Sequence, residues 1–380
     1  MDAQLRTLLT RYVEAGTIPG AVALLGGPDG DPEVVTVGTA VVGGPAIQAD
    51  AIIRIQSMTK AVTAVAALRL VESGRLGLDD GLESWLPELA NRKVLTTPTA
   101  ELDDTVAAVR PITLRHLLTN TSGYGMVAAS SPLQLAMAEN GTEAGVEPVS
   151  LGADEWLARL AELPLAFQPG EGWRYHHSFG ILGILISRIT GRPTGDQLRD
   201  DLFEPLGMSD TAFWVPTEKT DRLAPAYRLD DTRPDGNRLV ETEPAGGGFY
   251  AGPPPFDVDH AELVSTARDY YRFLRLLVDG GTVDGRRLLS AEQVQAMTTD
   301  QVPASVKTAD SFFPGFWDGL GWGFGVCVQL AGPRTGRYGW SGGQGTDFFV
   351  DPDGRIGILL TQVELCDPIW GLFQEFQEIG

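Results

Sequence analysis

The sequence predicts a mixed α/β (α+β) fold in which one sheet collects both ends of the 380-residue chain around a mainly helical insertion. Two observations predict it. Strand patterns occur at residues 20–39 and return after residue 322, whereas helix patterns dominate between them. No internal repeat, low-complexity tract or inter-domain linker interrupts the chain. We therefore expect a discontinuous sheet domain, residues 1–56 and 260–380, and a helical domain, residues 57–259.

The first elements are predicted to be a helix followed by a hairpin. Apolar side chains of the first helix recur on one face: Leu5, Leu8, Leu9 and Val13. The apolar run Gly20–Gly26 and the β-branched run Glu33–Thr39 are typical of strands. The Gly-, Pro- and Asp-rich stretch between them predicts the turn.

A longer helix is predicted over Ser57–Glu72, where Ala, Leu and Val recur at helical spacing without a breaker and Gly74 provides a stop. Further helices are expected at Leu82–Leu86, Leu114–Thr119, Ser178–Thr190, Gly195–Phe203, within Asp257–Asp279, and at Asp367–Ile379. Further strands are expected at Gly323–Leu330, Thr346–Val350 and Ile356–Gln362. The region 90–165 is otherwise rich in Pro, Gly and Ser, which favours long loops.

The composition excludes several functional classes. With 29 basic and 50 acidic residues the formal charge is −21, which repels nucleic acids and anionic membranes. Cys327 and Cys366 are too few for a disulfide framework and favour free thiols in a reducing compartment. The N-terminal segment lacks the apolar core of a signal peptide, and no apolar run reaches 18 residues. We therefore expect a cytoplasmic protein without a membrane span.

Ser341 lies in Gly339-Trp-Ser-Gly-Gly343, which matches the G-x-S-x-G nucleophile elbow of α/β-hydrolases. An elbow needs a helix after the serine and a histidine later in the chain. Here a turn and a strand are predicted after Ser341, and every histidine precedes it: His116, His176, His177 and His260. We interpret Ser341 as the flank of a Gly-rich hairpin, not as a nucleophile.

Ser57-Met-Thr-Lys60 forms an S-x-x-K motif at a predicted helix start. Residues three apart share a helix face, so the Lys60 amine can reach the Ser57 hydroxyl. A serine needs a base to take its proton, and a lysine can serve if burial and the positive end of the helix lower its pKa. The motif alone leaves an alternative, in which Ser57 caps the helix and Lys60 is solvated.

Five segments occur along the chain in the order seen in class C β-lactamases, family VIII carboxylesterases and related DD-peptidase-like enzymes, and the chain resembles these proteins over about residues 5–365. The segments are Ala51–Leu86, Arg115–Tyr124, Pro169–Tyr175, Phe203–Met208 and Tyr338–Gly343. The resemblance implies a β-lactamase/transpeptidase-like fold, an antiparallel sheet flanked by helices, with the site in the cleft between the two domains.

The resemblance also implies roles for individual residues. Ser57 would be acylated, Lys60 would accept its proton, and Tyr175 would shuttle protons to the leaving group and from the attacking water. The backbone N–H groups of Ser57 and Gly343 would form the oxyanion hole. Trp340 would occupy the first position of the third motif. The alternative for Tyr175 is a packed aromatic residue before a helix.

Two positions depart from the pattern that the resemblance implies. His177 stands where the second motif often has Asn, and it either hydrogen-bonds the acyl carbonyl, tunes Lys60 or is a satisfied polar neighbour. Trp340 stands where β-lactam enzymes usually carry a basic residue that attracts the substrate carboxylate. We therefore expect a serine carboxylesterase that acts on small neutral esters or amides. The alternatives are a β-lactamase or D-amino-acid peptidase, an acyltransferase, and a non-catalytic relative.

No metal or organic cofactor is expected, because adjacent histidines project differently and no thiol or carboxylate signature accompanies them. The oligomeric state is left open. Segment 310–324 is rich in aromatic residues, which either pack the domain junction or form an apolar wall for an acyl or alcohol group. These residues are Phe312, Phe313, Phe316, Trp317, Trp322 and Phe324.

Overall fold

The computed structural model describes residues 2–28, 31–126, 130–145, 148–233, 238–309 and 311–379. The strands are β1 (Gly20–Gly26), β2 (Glu33–Gly38), β3 (Ile53–Arg54), β4 (Lys93–Leu95), β5 (Thr105–Ala107), β6 (Ala226–Leu229), β7 (Leu239–Glu243), β8 (Val264–Ser265), β9 (Thr282–Val283), β10 (Arg286–Arg287), β11 (Leu320–Trp322), β12 (Cys327–Gln329), β13 (Tyr338–Gly342), β14 (Thr346–Val350) and β15 (Ile356–Leu360).

The helices are α1 (Asp2–Glu14), α2 (Thr59–Glu72), α3 (Leu114–Leu118), α4 (Pro132–Glu139), α5 (Ala153–Glu162), α6 (His177–Thr190), α7 (Thr194–Leu198), α8 (Glu204–Leu206), α9 (Ala267–Val278), α10 (Ala291–Met297) and α11 (Asp367–Ile379). Short 3₁₀ turns lie at Gln56–Met58, Pro87–Leu89, Thr217–Arg222, Phe249–Ala251 and Ala304–Val306, and a π turn lies at Arg199–Phe203.

The main sheet joins the two ends of the chain, as the sequence predicts. Within the described residues it has seven antiparallel strands in the order β11-β12-β13-β14-β15-β1-β2. N-terminal β1 pairs with C-terminal β15 from Val22 opposite Leu360 to Gly26 opposite Ile356. The antiparallel sheet flanked by helices is thereby confirmed.

Strand β1 is buried on both faces because helices cover both sides of the sheet. Val22 and Leu24 face one core, which includes residues of α2, α6 and α9. Ala21, Ala23 and Leu25 face a second core with residues of α1 and α11. Successive strand residues point to opposite faces, so one apolar run supplies both cores.

The elements between the N- and C-terminal strands of the main sheet include α2 to α8, and α2 and α6 are packed together in the interior. Every residue of α2 from Thr59 to Leu68 is buried, so the predicted site helix is surrounded by protein. The division into residues 1–56 with 260–380 and residues 57–259 stays a prediction. None of the described helices is both long and apolar enough to cross a membrane.

Several local predictions were wrong. Residues 82–86 form no helix, and the 3₁₀ turn Pro87–Leu89 follows them, because Pro87 disfavours helical backbone at the residue before it. Helices α4 and α5 lie in the region expected to be mostly loops. Of the strand predicted at 323–330, only β12 (Cys327–Gln329) forms; residues 323–326 turn the chain back from β11 to β12, with Gly325 at φ +78°, a left-handed conformation that favours glycine.

Candidate active site

The candidate nucleophile Ser57 lies in a tight turn between β3 and α2. The 3₁₀ turn Gln56–Met58 begins with left-handed backbone at Gln56, with φ +49°. The Thr346 hydroxyl of β14 donates to the Ile55 carbonyl at 3.0 Å, which ties the turn to the main sheet. Ile55 and Met58 occupy the two cap positions, so Ser57 does not serve as the helix cap.

Lys60 is fully buried beside Ser57. Its Nζ lies 2.9 Å from Ser57 Oγ, donates to the His260 carbonyl, and lies 4.5 Å from the centre of the Tyr175 ring. Burial lowers the pKa of Lys60 well below 10.5, and the charge of Glu262 opposes this in part. The solvated-lysine alternative is therefore wrong, and the neutral amine of a buried lysine is a competent proton acceptor.

Tyr175 completes the group around Ser57. Its buried hydroxyl accepts a hydrogen bond from Trp340 Nε1 at 2.5 Å and is hydrogen-bonded to the Ser57 side chain. Burial raises the pKa of Tyr175 above 10, and the two hydrogen bonds oppose this in part. The phenol is therefore protonated at neutral pH and is placed to donate a proton next to Ser57.

Gly343 follows β13, and the Gly342 beside it packs closely against the turn before Ser57. A side chain at Gly342 would overlap with Ile55 O and with the Thr346 hydroxyl. Among the hydrogen bonds of the described residues, none uses the Ser57 or Gly343 amide as donor. Both N–H groups are thus free of protein acceptors there, as an oxyanion hole requires.

Ser341 is tied to a carboxylate and not to a base. Its hydroxyl donates to Asp347 Oδ1 at 2.7 Å across the β13–β14 hairpin, and Gln377 donates to the other oxygen of Asp347. Burial raises the pKa of Asp347 to about 7. The hairpin-flank interpretation of Ser341 agrees with this pairing.

Three histidines are buried around Lys60. His177 Nε2 lies 2.7 Å from the Thr142 carbonyl, and burial lowers the pKa of this imidazole to about 4. The rings of His176 and His260 lie 3.9 Å apart, and His176 has left-handed backbone with φ +95°. His177 Nε2 has a main-chain partner, whereas its buried Nδ1 has none within the described residues, so the role of His177 stays a prediction.

Sequence reasoning missed a second buried polar group next to the nucleophile turn. The Tyr250 hydroxyl donates to Glu262, and Gln56 Nε2 lies 3.4 Å from the same hydroxyl. Burial raises the pKa of Glu262 to about 7. The available signal was a pair of acidic residues, Asp259 and Glu262, in the run Val258–Val264, which forms a turn that leads into β8.

Aromatic residues line the Tyr175 side of the site. Ring centroids of Trp340 and Trp322 lie 4.8 Å apart, and those of Tyr175 and Phe312 lie 5.1 Å apart. Of the predicted aromatic segment, Phe324 lies in the main core, Phe313 is exposed, and Asp310 is outside the described residues. These rings therefore pack against one another beside Tyr175, and their role as a wall for an acyl or alcohol group stays a prediction.

A cavity of about 1040 Å³ lies elsewhere, lined by residues that include Gly183, Phe213 and Asp257. Ser57, Lys60 and Tyr175 do not line it, so we do not take it for the reactive centre. No cluster of three or more potential metal ligands occurs in the described ranges. The chemistry available at Ser57 is acyl transfer, with a nucleophile, a neutral amine and a protonated phenol in contact.

Comparisons with known proteins agree with this chemistry. An uncharacterized protein of Mycobacterium tuberculosis is 37% identical over 365 residues, which cover 93% of this chain and 87% of that protein. Esterase EstB of Burkholderia gladioli is 29% identical over 339 residues, 83% of this chain and 78% of that protein. The solved structure of EstCE1, described as a hydrolase with promiscuous acyltransferase activity, matches with a TM-score of 0.80, 24% identity and coverage of 99% and 97%.

The family model described as Beta-lactamase matches residues 5–362, nearly the whole chain. The fold is accordingly the predicted β-lactamase/transpeptidase-like one, in agreement with the EstCE1 structure. The chain belongs to the Beta-lactamase family, and within it is a serine hydrolase.

Proposed function

We propose that this protein is a carboxylesterase that cleaves small neutral esters, or amides, through an acyl-enzyme at Ser57. The observation that carries the proposal is the 2.9 Å contact between Ser57 Oγ and the Nζ of a fully buried Lys60. Burial lowers the pKa of this lysine well below 10.5, which favours the neutral amine that takes the serine proton.

The arrangement supports a two-step reaction. Ser57 Oγ attacks the ester carbonyl while its proton passes to Lys60, and the Ser57 and Gly343 amides stabilise the oxyanion. The Tyr175 phenol gives its proton to the departing alkoxide. Water then attacks the acyl-enzyme and gives a proton to the Tyr175 phenolate. As the bond between the carbonyl carbon and Ser57 Oγ breaks, the Lys60 ammonium returns its proton to Oγ, which restores all three groups.

The surroundings of Ser57 favour a neutral acyl donor. Trp340 occupies the position at which a cation would hold a substrate carboxylate, and its indole N–H is already directed to Tyr175. The neighbouring rings form an apolar wall, and the chain carries a net charge of −21. Esterase EstB, a relative with 29% identity, is named for the same class of reaction.

The test is a comparison of kcat/KM for three acyl donors: p-nitrophenyl butyrate, the β-lactam nitrocefin and a D-Ala-D-Ala peptide. The proposal predicts the highest value for the butyrate ester, because that donor needs no anion anchor. Faster turnover of nitrocefin or of the peptide would contradict it and favour a β-lactamase or D-amino-acid peptidase.

The acyltransferase alternative uses the same acyl-enzyme and differs in the acceptor. Product analysis with butyrate ester and a competing primary alcohol separates the two. Predominant formation of free butyrate at millimolar alcohol supports the hydrolase, whereas predominant transesterification would contradict it.

Because Cys327 and Cys366 are unpaired, we also propose a reducing, cytoplasmic location.

A further inference from the structure

A buried carboxyl group lies behind the reactive pair and has no part in the reaction described above. Glu262 is 3% exposed, and it accepts hydrogen bonds from the Tyr250 hydroxyl and the Val149 amide. Tyr250 is in turn 3.4 Å from Gln56 Nε2, and Gln56 directly precedes the nucleophile Ser57. The carboxylate is therefore held in one place next to the nucleophile turn.

The same short segment also holds the base. The carbonyl of His260, two residues before Glu262, accepts a hydrogen bond from Lys60 Nζ. The carboxylate of Glu262 and the amine of Lys60 influence each other electrostatically, each favouring the charged form of the other. One segment thus holds Lys60 through the His260 carbonyl and also carries the carboxylate whose charge acts on Lys60.

The other buried carboxyl of this segment, Asp259, accepts a hydrogen bond from Thr63 of α2. Burial raises the pKa of Asp259 well above 3.8, which disfavours a negative charge there. The imidazoles of His176, His177 and His260 face Lys60, and burial keeps their pKa values below 6.5. On the far side, the Arg54 guanidinium lies 4.9 Å from the Tyr250 ring centre and 3.7 Å from Glu243. Glu243 acts on Glu262 and Tyr250 but is paired with Arg54.

We infer that Glu262 is the counter-charge for Lys60: it positions the base and stabilises the ammonium that forms when Lys60 takes the Ser57 proton. The inference rests on the proposed acyl transfer at Ser57. As the bond between Oγ and the carbonyl carbon forms, the Oγ–H bond breaks and its proton binds Lys60 Nζ. Glu262 stays ionised throughout and takes no proton, so charge and atoms balance.

A buried ammonium needs a compensating charge, because burial away from water disfavours the charged form. Ionised Glu262 supplies this compensating charge from a buried position that the Tyr250 hydroxyl fixes by a hydrogen bond. At pH values below about 7, Glu262 takes up a proton, and Lys60 loses its counter-charge. Acylation of Ser57 is therefore expected to slow as the pH falls through this range.

The first test is the pH dependence of kcat/KM for p-nitrophenyl butyrate in Glu262→Gln. The plateau is expected to fall at least about tenfold, because the ammonium loses its counter-charge. The acidic limb of the profile, the pH range over which kcat/KM falls on acidification, is expected to move to lower pH. The reason is that removal of the Glu262 charge lowers the pKa of Lys60. If Glu262 had only a structural role, the substitution would lower kcat/KM at every pH and leave the acidic limb at its wild-type pH.

The second variant, Tyr250→Phe, keeps the carboxylate and removes its hydrogen-bond donor. That hydrogen bond lowers the pKa of Glu262, so its loss is expected to move the acidic limb to higher pH, opposite to Glu262→Gln. Glu88→Gln is the control: it breaks a half-buried ion pair with Arg188 and is expected to leave the limb in place.

The inference would be overturned if the acidic limb stays at the wild-type pH in both Glu262→Gln and Tyr250→Phe. It would also be overturned if the limb moves in the same direction in the two variants. If Glu262→Gln does not fold, the upward shift in Tyr250→Phe decides alone. A wild-type protein that a fluorophosphonate does not label at Ser57 contradicts the proposed function itself, whereas a labelled wild type with unmoved limbs contradicts only the role of Glu262.

Discussion

Trp340 places an aromatic ring beside Tyr175, at the position where the resemblance to β-lactam enzymes implies a basic side chain. Its ring lies 5.3 Å from the Tyr175 ring and 6.1 Å from the Phe316 ring, and its Nε1 donates to the Tyr175 hydroxyl. A lysine or arginine there would face an approaching carboxylate, whereas the indole offers apolar surface and its one donor is engaged. We therefore expect the charge of the preferred substrate to depend on this residue more than on Ser57 or Lys60.

The substitution Trp340→Lys is expected to raise the ratio of kcat/KM for nitrocefin to that for p-nitrophenyl butyrate by at least about tenfold, since it adds a cation for the β-lactam carboxylate. Trp340→Phe is the matched control, because it removes the same indole donor without adding charge. An equal ratio in the two variants would show that charge at this position does not select the substrate.

At the residue scale, the S-x-x-K spacing predicted the contact between Ser57 and Lys60, but not what makes the lysine a base. Its burial and its neighbours His260 and Glu262 come from a segment about 200 positions away. Only the fold brings them together, and local spacing carries no information about such contacts. The orientation of His177 toward Thr142 was likewise undecided, because a ring on a helix N-terminus has several available directions.

At the element scale, strand β13 and the turn before Ser57 lie too close for a side chain between them. Gly342 is the contact point, and an added Cβ would overlap with Ile55 O and the hydroxyl of Thr346. The same two oxygen atoms, the Thr346 hydroxyl and the Ile55 carbonyl, are hydrogen-bonded to each other. This close packing fixes β13 against the turn that carries Ser57.

Gly342→Ala is expected to lower the free energy of unfolding by about 1–3 kcal/mol, because the extra carbon must push β13 away from the turn. It is also expected to reduce kcat for ester hydrolysis, since Gly343 moves with the strand. Gly152→Ala is the control, because a Cβ there meets nothing within 4 Å and the backbone φ of −70° suits alanine. Urea unfolding of both variants checks the prediction, and equal midpoints would contradict it.

Helices and strands whose apolar residues recur at one clear spacing were predicted well, whereas elements in Gly- and Pro-rich segments were not. Strands β1, β14 and β15 and helices α1, α2, α6 and α11 follow apolar patterns that local sequence carries. Helix α5 was missed because the Gly- and Ser-rich residues around it suggested loops. Strand β13 was predicted only as the flank of a hairpin. Its residues Tyr338, Gly339 and Gly342 do not give the alternation of polar and apolar residues that indicates a strand.

At the scale of the whole molecule, the acidic excess acts on every approaching substrate. The net charge is −21, and many of the basic side chains, such as Arg188 and Arg199, are already paired with acids. A field of this sign slows the encounter with anions and leaves neutral molecules unaffected. The sequence predicted this property fully, because net charge depends on composition and not on the fold.

Ionic strength is therefore expected to separate substrates by charge. Between 0.01 M and 0.15 M salt the screening length falls from about 30 Å to about 8 Å. The kcat/KM of an anionic ester, such as a succinate monoester, is expected to rise severalfold over this range, while that of p-nitrophenyl butyrate changes little. Parallel salt responses of the two esters would show that the global charge has no part in selection.

The central claim is that Ser57 carries the acyl group. The most direct measurement is mass spectrometry of protein quenched in acid during turnover of p-nitrophenyl butyrate, followed by peptide mapping, with Ser57→Ala and Ser341→Ala compared beside the wild type. We predict a butyryl adduct on the peptide containing Ser57 in the wild type and in Ser341→Ala, and none in Ser57→Ala. An adduct that persists in Ser57→Ala, or that maps to Ser341, would contradict the claim.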